Sequence, residues 1–249
     1  MYINTKCLLS IMKIKNRLFL NGEIKINQSI IFDSKHSHYL ATVLRSNHGD
    51  SISVFNDSAE FIIKLEAIDR RKTVGLVVKK ISTVKRVSPL TLFFSPIKRT
   101  PTEIIIQKCT EIGVSHFQPI IMEHTQFKTF NIDRLKTIAI EAVEQSNQIS
   151  IPKISVPIYF EDFLKKNNDS IVACCLIDKI EKMNDVFLSS NSKITGVLIG
   201  PEGDFSEREM KLISASKLIT PISLGNNVLK SETACIIATA LIKEYSNYA

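Results

Sequence analysis

The stretch Leu198-Ile199-Gly200-Pro201-Glu202-Gly203-Asp204-Phe205-Ser206 decides the fold of this chain, together with the later stretch Ser223-Leu224-Gly225-Asn226-Asn227-Val228-Leu229-Lys230-Ser231-Glu232-Thr233-Ala234. Each stretch starts as an apolar strand, breaks into a glycine-containing loop and then favours a helix. Crevices at the carboxyl ends of parallel strands are where α/β sheets bind ligands. The two loops together therefore predict a small-molecule site, although an ordinary turn would explain either loop alone.

Glycine usage supports this interpretation. The chain has eight glycines, among them Gly196, Gly200, Gly203 and Gly225. Glycine is favoured where the backbone needs positive φ or where a ligand approaches closely. The loops are not a dinucleotide or P-loop fingerprint, because neither G-x-G-x-x-G nor G-x-x-x-x-G-K-[ST] occurs.

Composition indicates a soluble globular protein that works in the cytoplasm. The chain has 249 residues, of which 44% are apolar. The apolar run near the start is too short for a signal peptide core or a membrane span. Five cysteines without C-x-x-C spacing argue for a reducing compartment, and the five histidines show no metal-binding spacing. We therefore expect no membrane association and no metal.

Positive charge is concentrated at the front of the chain. Residues 1–86 carry fifteen Lys or Arg against seven Asp or Glu, whereas residues 87–249 carry seventeen against eighteen. A generally basic proteome is one explanation, but it would raise lysine throughout the chain. The alternative is a front module that binds a polyanion such as nucleic acid.

The front segment is predicted to be a small barrel. Short strands at residues 29–32, 51–55, 60–68 and 73–80 follow one another at the spacing typical of such a fold. One helix is predicted at residues 34–44, with Leu40, Val43 and Leu44 on one face. Residues 82–89 are interpreted as a linker.

After the linker the pattern changes to alternating strands and helices. Apolar strands are predicted at residues 90–95, 117–122, 170–177 and 195–199. Thr100 is predicted to cap the first helix, with Pro101 at its first position and Glu103 completing a capping box. That helix is predicted to end at Gly113, and a long one follows at residues 133–150. The order indicates a parallel sheet covered by helices on both faces.

Two helices follow the two glycine loops. Ser206 and Glu209 form the pattern of a second capping box, which predicts a helix from about Glu207. The last helix, at residues 232–245, is apolar almost all round. A helix of that kind must be buried on several sides, either centrally or at a subunit interface.

At these residues the sequence resembles the bacterial 16S ribosomal RNA uridine-N3 methyltransferases of the SPOUT superfamily. The family's Gly-Pro-Glu-Gly-Gly-Phe-Ser loop corresponds to residues 200–206, and its Leu-Gly-x-Arg-Ile-Leu-Arg-x-Glu-Thr-Ala segment to residues 224–234. Further matches are residues 107–114, Glu144-Gln145-Ser146, and His38 with Val43-Leu44-Arg45. The resemblance begins at about Lys15, so residues 1–12 are interpreted as an extension.

The resemblance implies an α/β fold with two domains. Residues 1–86 would form a PUA-like RNA-binding β-barrel. Residues 87–249 would form a methyltransferase domain with a trefoil knot, which sequence patterning alone does not predict. The enzyme would be a homodimer that binds S-adenosylmethionine and acts on 16S rRNA of the small ribosomal subunit. The implied cofactor-binding residues are Leu176, Gly200, Gly203, Leu224, Gly225, Val228 and Leu229.

The sequence departs from the family pattern at four positions. Asp204 replaces the second glycine of the first loop, and Asn227, Lys230 and Gln148 stand where the family has arginine. Arginine offers a planar bidentate fork, and lysine offers only a point charge. We therefore expect these changes to affect contact with RNA more than the fold or the cofactor pocket.

Methylation of uracil N3 requires loss of the N3 proton and an unpaired or flipped base. Glu232 is the candidate for acid–base chemistry or for contact with the uracil edge, and Lys230 and Arg45 are candidates for holding phosphate or base. Glu232 could instead only favour the start of its helix. The alternatives in function are a non-catalytic or cofactor-gated RNA-binding protein of the same fold, or a methyltransferase for another RNA site.

Overall fold

The chain forms two compact units. The computed structural model describes residues 16–83, 89–175 and 194–248. The first unit comprises residues 1–86 with residues 144–150, and the second comprises residues 87–143 with residues 151–249. The expected division into 1–86 and 87–249 assigns residues 144–150 to the second unit, whereas the structure places them with the first. Most of the expected linker, residues 84–88, lies outside the described residues.

The first unit is built on a five-stranded half-barrel sheet in the order β1-β3-β4-β5-β2. Strand β1 runs parallel to β3, and the remaining neighbours are antiparallel. The predicted strands are confirmed within a few residues, but β1 was missed because three residues are too few to show a periodicity. The strands are β1 (Arg17–Phe19), β2 (Ser29–Ile31), β3 (Ser51–Phe55), β4 (Ala59–Ala67) and β5 (Val74–Thr83).

One helical segment packs against this sheet through Leu40. It begins as helix α1 (Ser34–His38), capped by the Asp33 side chain, and continues as a π-helical turn (Tyr39–Val43). Leu40 is fully buried, as predicted, but Val43 is 61% exposed. The wider winding of a π-helical turn carries Val43 off the face that a 3.6-residue period predicts.

The second unit contains a parallel sheet, as predicted. Its strand order is β12-β10-β11-β6-β7-β8, with β9 also pairing to β7. The apolar runs form its four central strands, in which every residue is buried or partly buried. The strands are β6 (Thr91–Phe94), β7 (His116–Ile121), β8 (Lys153–Ile154), β9 (Ile158–Tyr159), β10 (Ile171–Cys174), β11 (Gly196–Ile199) and β12 (Ile219–Ile222).

Helices cover both faces of the parallel sheet. Alternate strand residues point to opposite faces, so Leu92 and Val197 enter one core and Phe93 and Leu198 the other. The first core is completed by α2 (Arg99–Ile112), α3 (Ile132–Ser146) and α6 (Ser231–Tyr248), and the second by α4 (Phe160–Lys166) and α5 (Glu207–Ala215). The unit is therefore a three-layer α/β domain.

The predicted start of helix α2 is wrong. The helix begins at Arg99 with Lys98 as its N-cap, so Pro101 lies two positions inside the helix. Proline is accommodated there because the first backbone N–H groups of a helix have no intrahelical partner. Glu103 pairs instead with the Arg99 and Arg134 side chains at 2.9 and 3.4 Å. The predicted end at Gly113 is confirmed by its φ of 107°.

Helix α3 ends at Ser146, four residues before the predicted end. Asn147 follows with a φ of 58°, in the left-handed region that ends many helices. Helix α6 buries one face through Cys235, Ala238 and Ile242 against the first core, while Ile237 stays 36% exposed. Within the described part of the chain, no helix is both long and apolar enough to cross a membrane.

Candidate active site

The candidate site lies where four adjacent parallel strands end. Phe94 of β6, Ile199 of β11, Cys174 of β10 and Ile222 of β12 are register partners at the carboxyl ends of their strands. In the strand order, β7 and β8 follow on one flank of β6, and β11, β10 and β12 lie on its other flank. This switch in strand order opens a crevice beyond the strand ends.

A pocket of about 420 Å³ occupies this crevice. Its walls are the connections that leave the four strands, including both glycine loops that the sequence singled out. The lining residues are Lys98, Pro101, Cys174, Cys175, Ile199, Gly200, Pro201, Glu202, Asp204, Leu224, Gly225, Asn227, Val228, Leu229, Lys230, Ser231, Glu232 and Ala234.

The first loop, residues 200–206, is a tight turn that leads into helix α5. The Asp204 N–H donates to the Pro201 carbonyl at 3.0 Å, and Asp204 has a φ of 57°. Both hydrogen bonds of the predicted capping box between Ser206 and Glu209 are present. A Cβ at Gly200 would lie 3.3 Å from the Phe205 ring, so this glycine lets the ring pack beneath the loop.

The second loop, residues 223–230, needs its glycine for a different reason. Gly225 has a φ of 123°, and no described atom lies within 4 Å of where its Cβ would project. Ser223 closes the turn, its hydroxyl accepting from the Gly225 N–H at 3.2 Å. Val228 is 80% exposed although it is apolar. The loop therefore offers open backbone and an uncovered apolar side chain to a ligand.

The two loops are joined directly. The Ser231 hydroxyl, at the start of helix α6, donates to the Gly200 carbonyl at 3.4 Å and is buried. The Ala234 N–H donates to the Lys230 carbonyl at 2.9 Å, so helix α6 begins at the pocket. Glu232 therefore lies in the first turn of a helix whose amino end faces the site.

Most of the predicted site residues meet at this pocket. Gly200, Leu224, Gly225, Val228 and Leu229 line it, as do Lys230 and Glu232. Their roles in binding and catalysis remain predictions.

Three predicted residues are not part of this wall. Gly203 is absent from the described lining, and its backbone packs instead against His124. Leu176 lies outside the described residues. Arg45 belongs to the first unit, where it is exposed and has a φ of 50°.

The lining combines charges of both signs. Lys98 and Lys230 carry positive charge, while Glu202, Asp204 and Glu232 carry negative charge. Sequence reasoning did not assign Lys98 or Pro101 to the site, because they follow β6, which is far from the glycine loops in the chain. Their position directly after a predicted buried strand was the available signal.

The adjacent cysteines at the end of β10 also line the pocket and were likewise missed as site residues. Burial raises the pKa of the Cys175 thiol to about 12 and raises that of Cys174 well above its usual value. Both thiols are therefore protonated at neutral pH and are poor nucleophiles. Among the described residues, no group of His, Cys, Asp and Glu side chains could hold a metal ion.

Comparison with known proteins identifies the family. A family profile described as an RNA methyltransferase domain matches residues 84–243. The chain is 34% identical over 235 residues to the ribosomal RNA small subunit methyltransferase E of Rickettsia conorii, covering 92% of this chain and 95% of that protein. It is 28% identical over 233 residues to the protein of that name from Synechocystis sp., covering 91% and 76%.

Solved structures share the fold. A ribosomal RNA small subunit methyltransferase E from Neisseria gonorrhoeae, bound to S-adenosyl methionine, has a TM-score of 0.81 at 22% identity, covering 92% of this chain and 97% of that chain. A probable rRNA methyltransferase from Porphyromonas gingivalis has a TM-score of 0.79 at 25% identity, covering 94% and 100%. Fold and family profile together define the class as RNA methyltransferases. The chain belongs to the ribosomal RNA small subunit methyltransferase E family.

Proposed function

We propose that this protein transfers a methyl group from S-adenosylmethionine to N3 of one uridine in 16S rRNA of the small ribosomal subunit. The observation that carries the proposal is the pocket at the four strand ends, built from the two loops that carry the family resemblance. The chain's 34% identity to the Rickettsia conorii enzyme over nearly its full length supports the same reaction.

The residues around the pocket fit this cofactor. Its volume of about 420 Å³ lies in the usual range for small-molecule sites. Ile199, Leu224 and Val228 offer apolar contact for an adenine ring, and the open side of Gly225 allows close approach to backbone. The carboxylates of Glu202 and Asp204 would favour a ligand that carries positive charge.

The proposed mechanism divides the work between cofactor and protein. When bound, S-adenosylmethionine supplies an electrophilic methyl group. The two loops fix its orientation, because alignment of the reacting atoms provides much of the rate. Glu232, in the first turn of helix α6, accepts the N3 proton or holds the uracil edge. Lys230, exposed beside it, holds phosphate or base.

The first unit is proposed to bind the RNA. Its net positive charge supplies affinity for phosphates without regard to sequence. Arg45 is exposed on the segment after the π-helical turn, next to the exposed Val43. This residue is proposed to contact phosphate or base. The target base must be unpaired or flipped, since N3 is hidden in a paired uridine.

The proposal extends to assembly and location. We infer a cytoplasmic homodimer in which helix α6 contributes to the interface, since Ile237 stays exposed on this apolar helix. A trefoil knot around the pocket is also part of the proposal. It rests on family resemblance, with the shared fold as support.

Two measurements test the proposed reaction. Isothermal titration with S-adenosylmethionine should show binding, and single-turnover reaction with small ribosomal subunits lacking the modification should give N3-methyluridine. No binding would contradict an enzyme that uses this cofactor. Binding without transfer would instead indicate a cofactor-gated RNA-binding protein, and transfer to a different RNA would change the substrate.

A further inference from the structure

The first loop is held from behind by a side chain outside the pocket. His124 follows strand β7, and its Nδ1 lies 3.1 Å from the Gly203 carbonyl oxygen and 3.0 Å from that of Asp204. Both carbonyls are acceptors, so Nδ1 must carry a proton to bind them. One imidazole N–H thus contacts two successive peptide groups of the loop whose other side lines the pocket.

The turn that carries His124 is itself firmly anchored. The Met122 N–H donates to Thr125 Oγ1 at 2.8 Å, and that hydroxyl lies 2.7 Å from Ser95 Oγ. The Glu123 N–H donates to Glu209 Oε1 at 2.9 Å, and Glu209 also completes the capping box of helix α5. Residues 122–125 are therefore a fixed support against which the loop can be held.

The loop has a conformation that requires such support. Asp204 lies in the left-handed region with a φ of 57°, which side-chain-bearing residues adopt at a cost. The Cβ position of Gly203 lies 3.4 Å from the His124 Cβ, so the histidine is in van der Waals contact with this part of the loop. Gly203 thus lies against His124, and Asp204 lines the pocket.

Resting on the function proposed above, we propose that His124 is a positioning residue that holds residues 200–206 in the conformation that binds S-adenosylmethionine. It acts through the loop backbone, since it is not among the described residues that line the pocket. Removing its N–H takes this hydrogen-bond donor away from two loop carbonyls, one of them that of the left-handed residue Asp204.

The same contact makes cofactor binding sensitive to pH. The Asp204 and Gly203 carbonyls raise the His124 pKa above its usual value, and the Glu123 and Glu209 carboxylates act in the same direction. His124 also lines a surface groove with helix α5, from which, among the described residues, Glu207, Arg208 and Lys211 present further charged groups. A raised pKa means that the protonated form of His124 stabilises the conformation in which it contacts the loop. That stabilisation is present at low pH and is lost as pH rises through the pKa of the folded state.

Two substitutions separate the N–H from the bulk of the side chain. His124→Phe keeps a ring against Gly203 without a donor, and His124→Asn keeps a donor that does not titrate. His48→Phe is the matched control, because His48 is also exposed and its Nδ1 contacts a backbone carbonyl, that of Glu66 at 2.7 Å. His48 belongs to the first unit.

Loop protection is measured first, by hydrogen exchange without cofactor. His124→Phe should speed exchange of the Asp204 and Ser206 amides, and His124→Asn and His48→Phe should not. Titration with S-adenosylmethionine should then show about fivefold to tenfold weaker binding for His124→Phe, as expected for loss of one or two hydrogen bonds. Wild-type affinity should fall with rising pH, and that of His124→Asn should stay flat.

The two proposals fail in different ways. Unchanged loop exchange in His124→Phe, or an equal change in His48→Phe, would overturn the positioning role whatever the cofactor does. Faster loop exchange in a protein whose wild type binds no S-adenosylmethionine would contradict the proposed function and not the contact. If His124→Phe does not fold, equal pH dependence of binding in wild type and His124→Asn would overturn the role.

Discussion

At the scale of single residues, the glycines of the two loops have different tasks. Gly225 allows a positive φ beside open space, Gly200 leaves room for Phe205, and Gly203 lies against His124, whose Nδ1 its carbonyl contacts. The sequence predicted all three as backbone facing a cofactor. It could not separate them, because the space beside each glycine is set by tertiary packing.

Replacing Gly225 tests the requirement for positive φ at the pocket. We expect Gly225→Ala to cost about 1–2 kcal/mol, since a Cβ is strained in the left-handed region, and to weaken binding of S-adenosylmethionine. Gly22→Ala is the control, because Gly22 also has a positive φ, 100°, beside open space but lies in the first unit. Calorimetric unfolding and titration should show similar destabilisation in both and weaker binding in Gly225→Ala alone. Equal affinities would contradict the assignment.

Glu232→Gln tests the proposed proton acceptor. We expect S-adenosylmethionine affinity to change little and single-turnover methylation to fall by about 10²-fold or more, the range for loss of a general base. Glu207→Gln is the control, because Glu207 also lies in the first turn of a helix but outside the described lining of the pocket. An unchanged rate in Glu232→Gln would leave this residue with only a helix-stabilising role.

At the scale of elements, two capping-box patterns in the sequence had different outcomes. Ser206 and Glu209 form the box that their spacing predicts, at the start of helix α5. At helix α2 the same pattern at Thr100 and Glu103 forms no box, because Glu103 pairs with arginines and the helix begins one residue before Thr100. Local spacing therefore predicts a helix start only where no stronger partner competes for the carboxylate.

This difference predicts unequal costs for two similar substitutions. Ser206→Ala should lower the free energy of unfolding by about 1 kcal/mol, since it removes the acceptor for the Glu209 N–H. Thr100→Ala should change it by less than about 0.5 kcal/mol, as for a surface position without a cap. Urea unfolding of both variants measures the difference, and equal losses would contradict it.

At the scale of the whole molecule, a buried arginine joins parts of the first unit that are far apart in sequence. The Arg17 Nε donates to Glu60 at 2.8 Å, and its Nη2 donates to the Gln148 carbonyl at 2.8 Å. The guanidinium also lies 4.6 Å from the centre of the Phe55 ring. The resemblance implies an arginine at position 148, where this chain has Gln148, and the Gln148 carbonyl accepts this bond from Arg17.

Breaking this contact should be costly. Arg17→Met leaves the Glu60 carboxylate buried without its ion pair, so we expect a loss of about 3–5 kcal/mol in the free energy of unfolding. The double variant Arg17→Met with Glu60→Leu should lose less unfolding free energy, because it buries no unpaired charge. Chemical denaturation of the two variants tests this, and a double variant as unstable as the single one would show that charge burial is not the cause.

The sequence predicted the strands and layers of the fold better than it predicted which segments lie next to one another. Buried apolar runs predicted the parallel strands, and the glycine loops predicted where a site would form. Strand β1 was not predicted because it is too short to show a periodicity, and the placement of residues 144–150 was not predicted because it depends on contacts between distant segments. Lys98 joins the pocket because β6 lies beside β11 in the sheet, and strand order cannot be read from local pattern.

The central claim is that the pocket at the four strand ends serves methylation of a uridine in 16S rRNA. Mass-spectrometric mapping of small-subunit RNA from cells with and without this protein tests it most directly. We predict N3-methyluridine at one position in cells that contain the protein and unmodified uridine at that position in cells that lack it. Identical methylation in both RNAs would contradict the account.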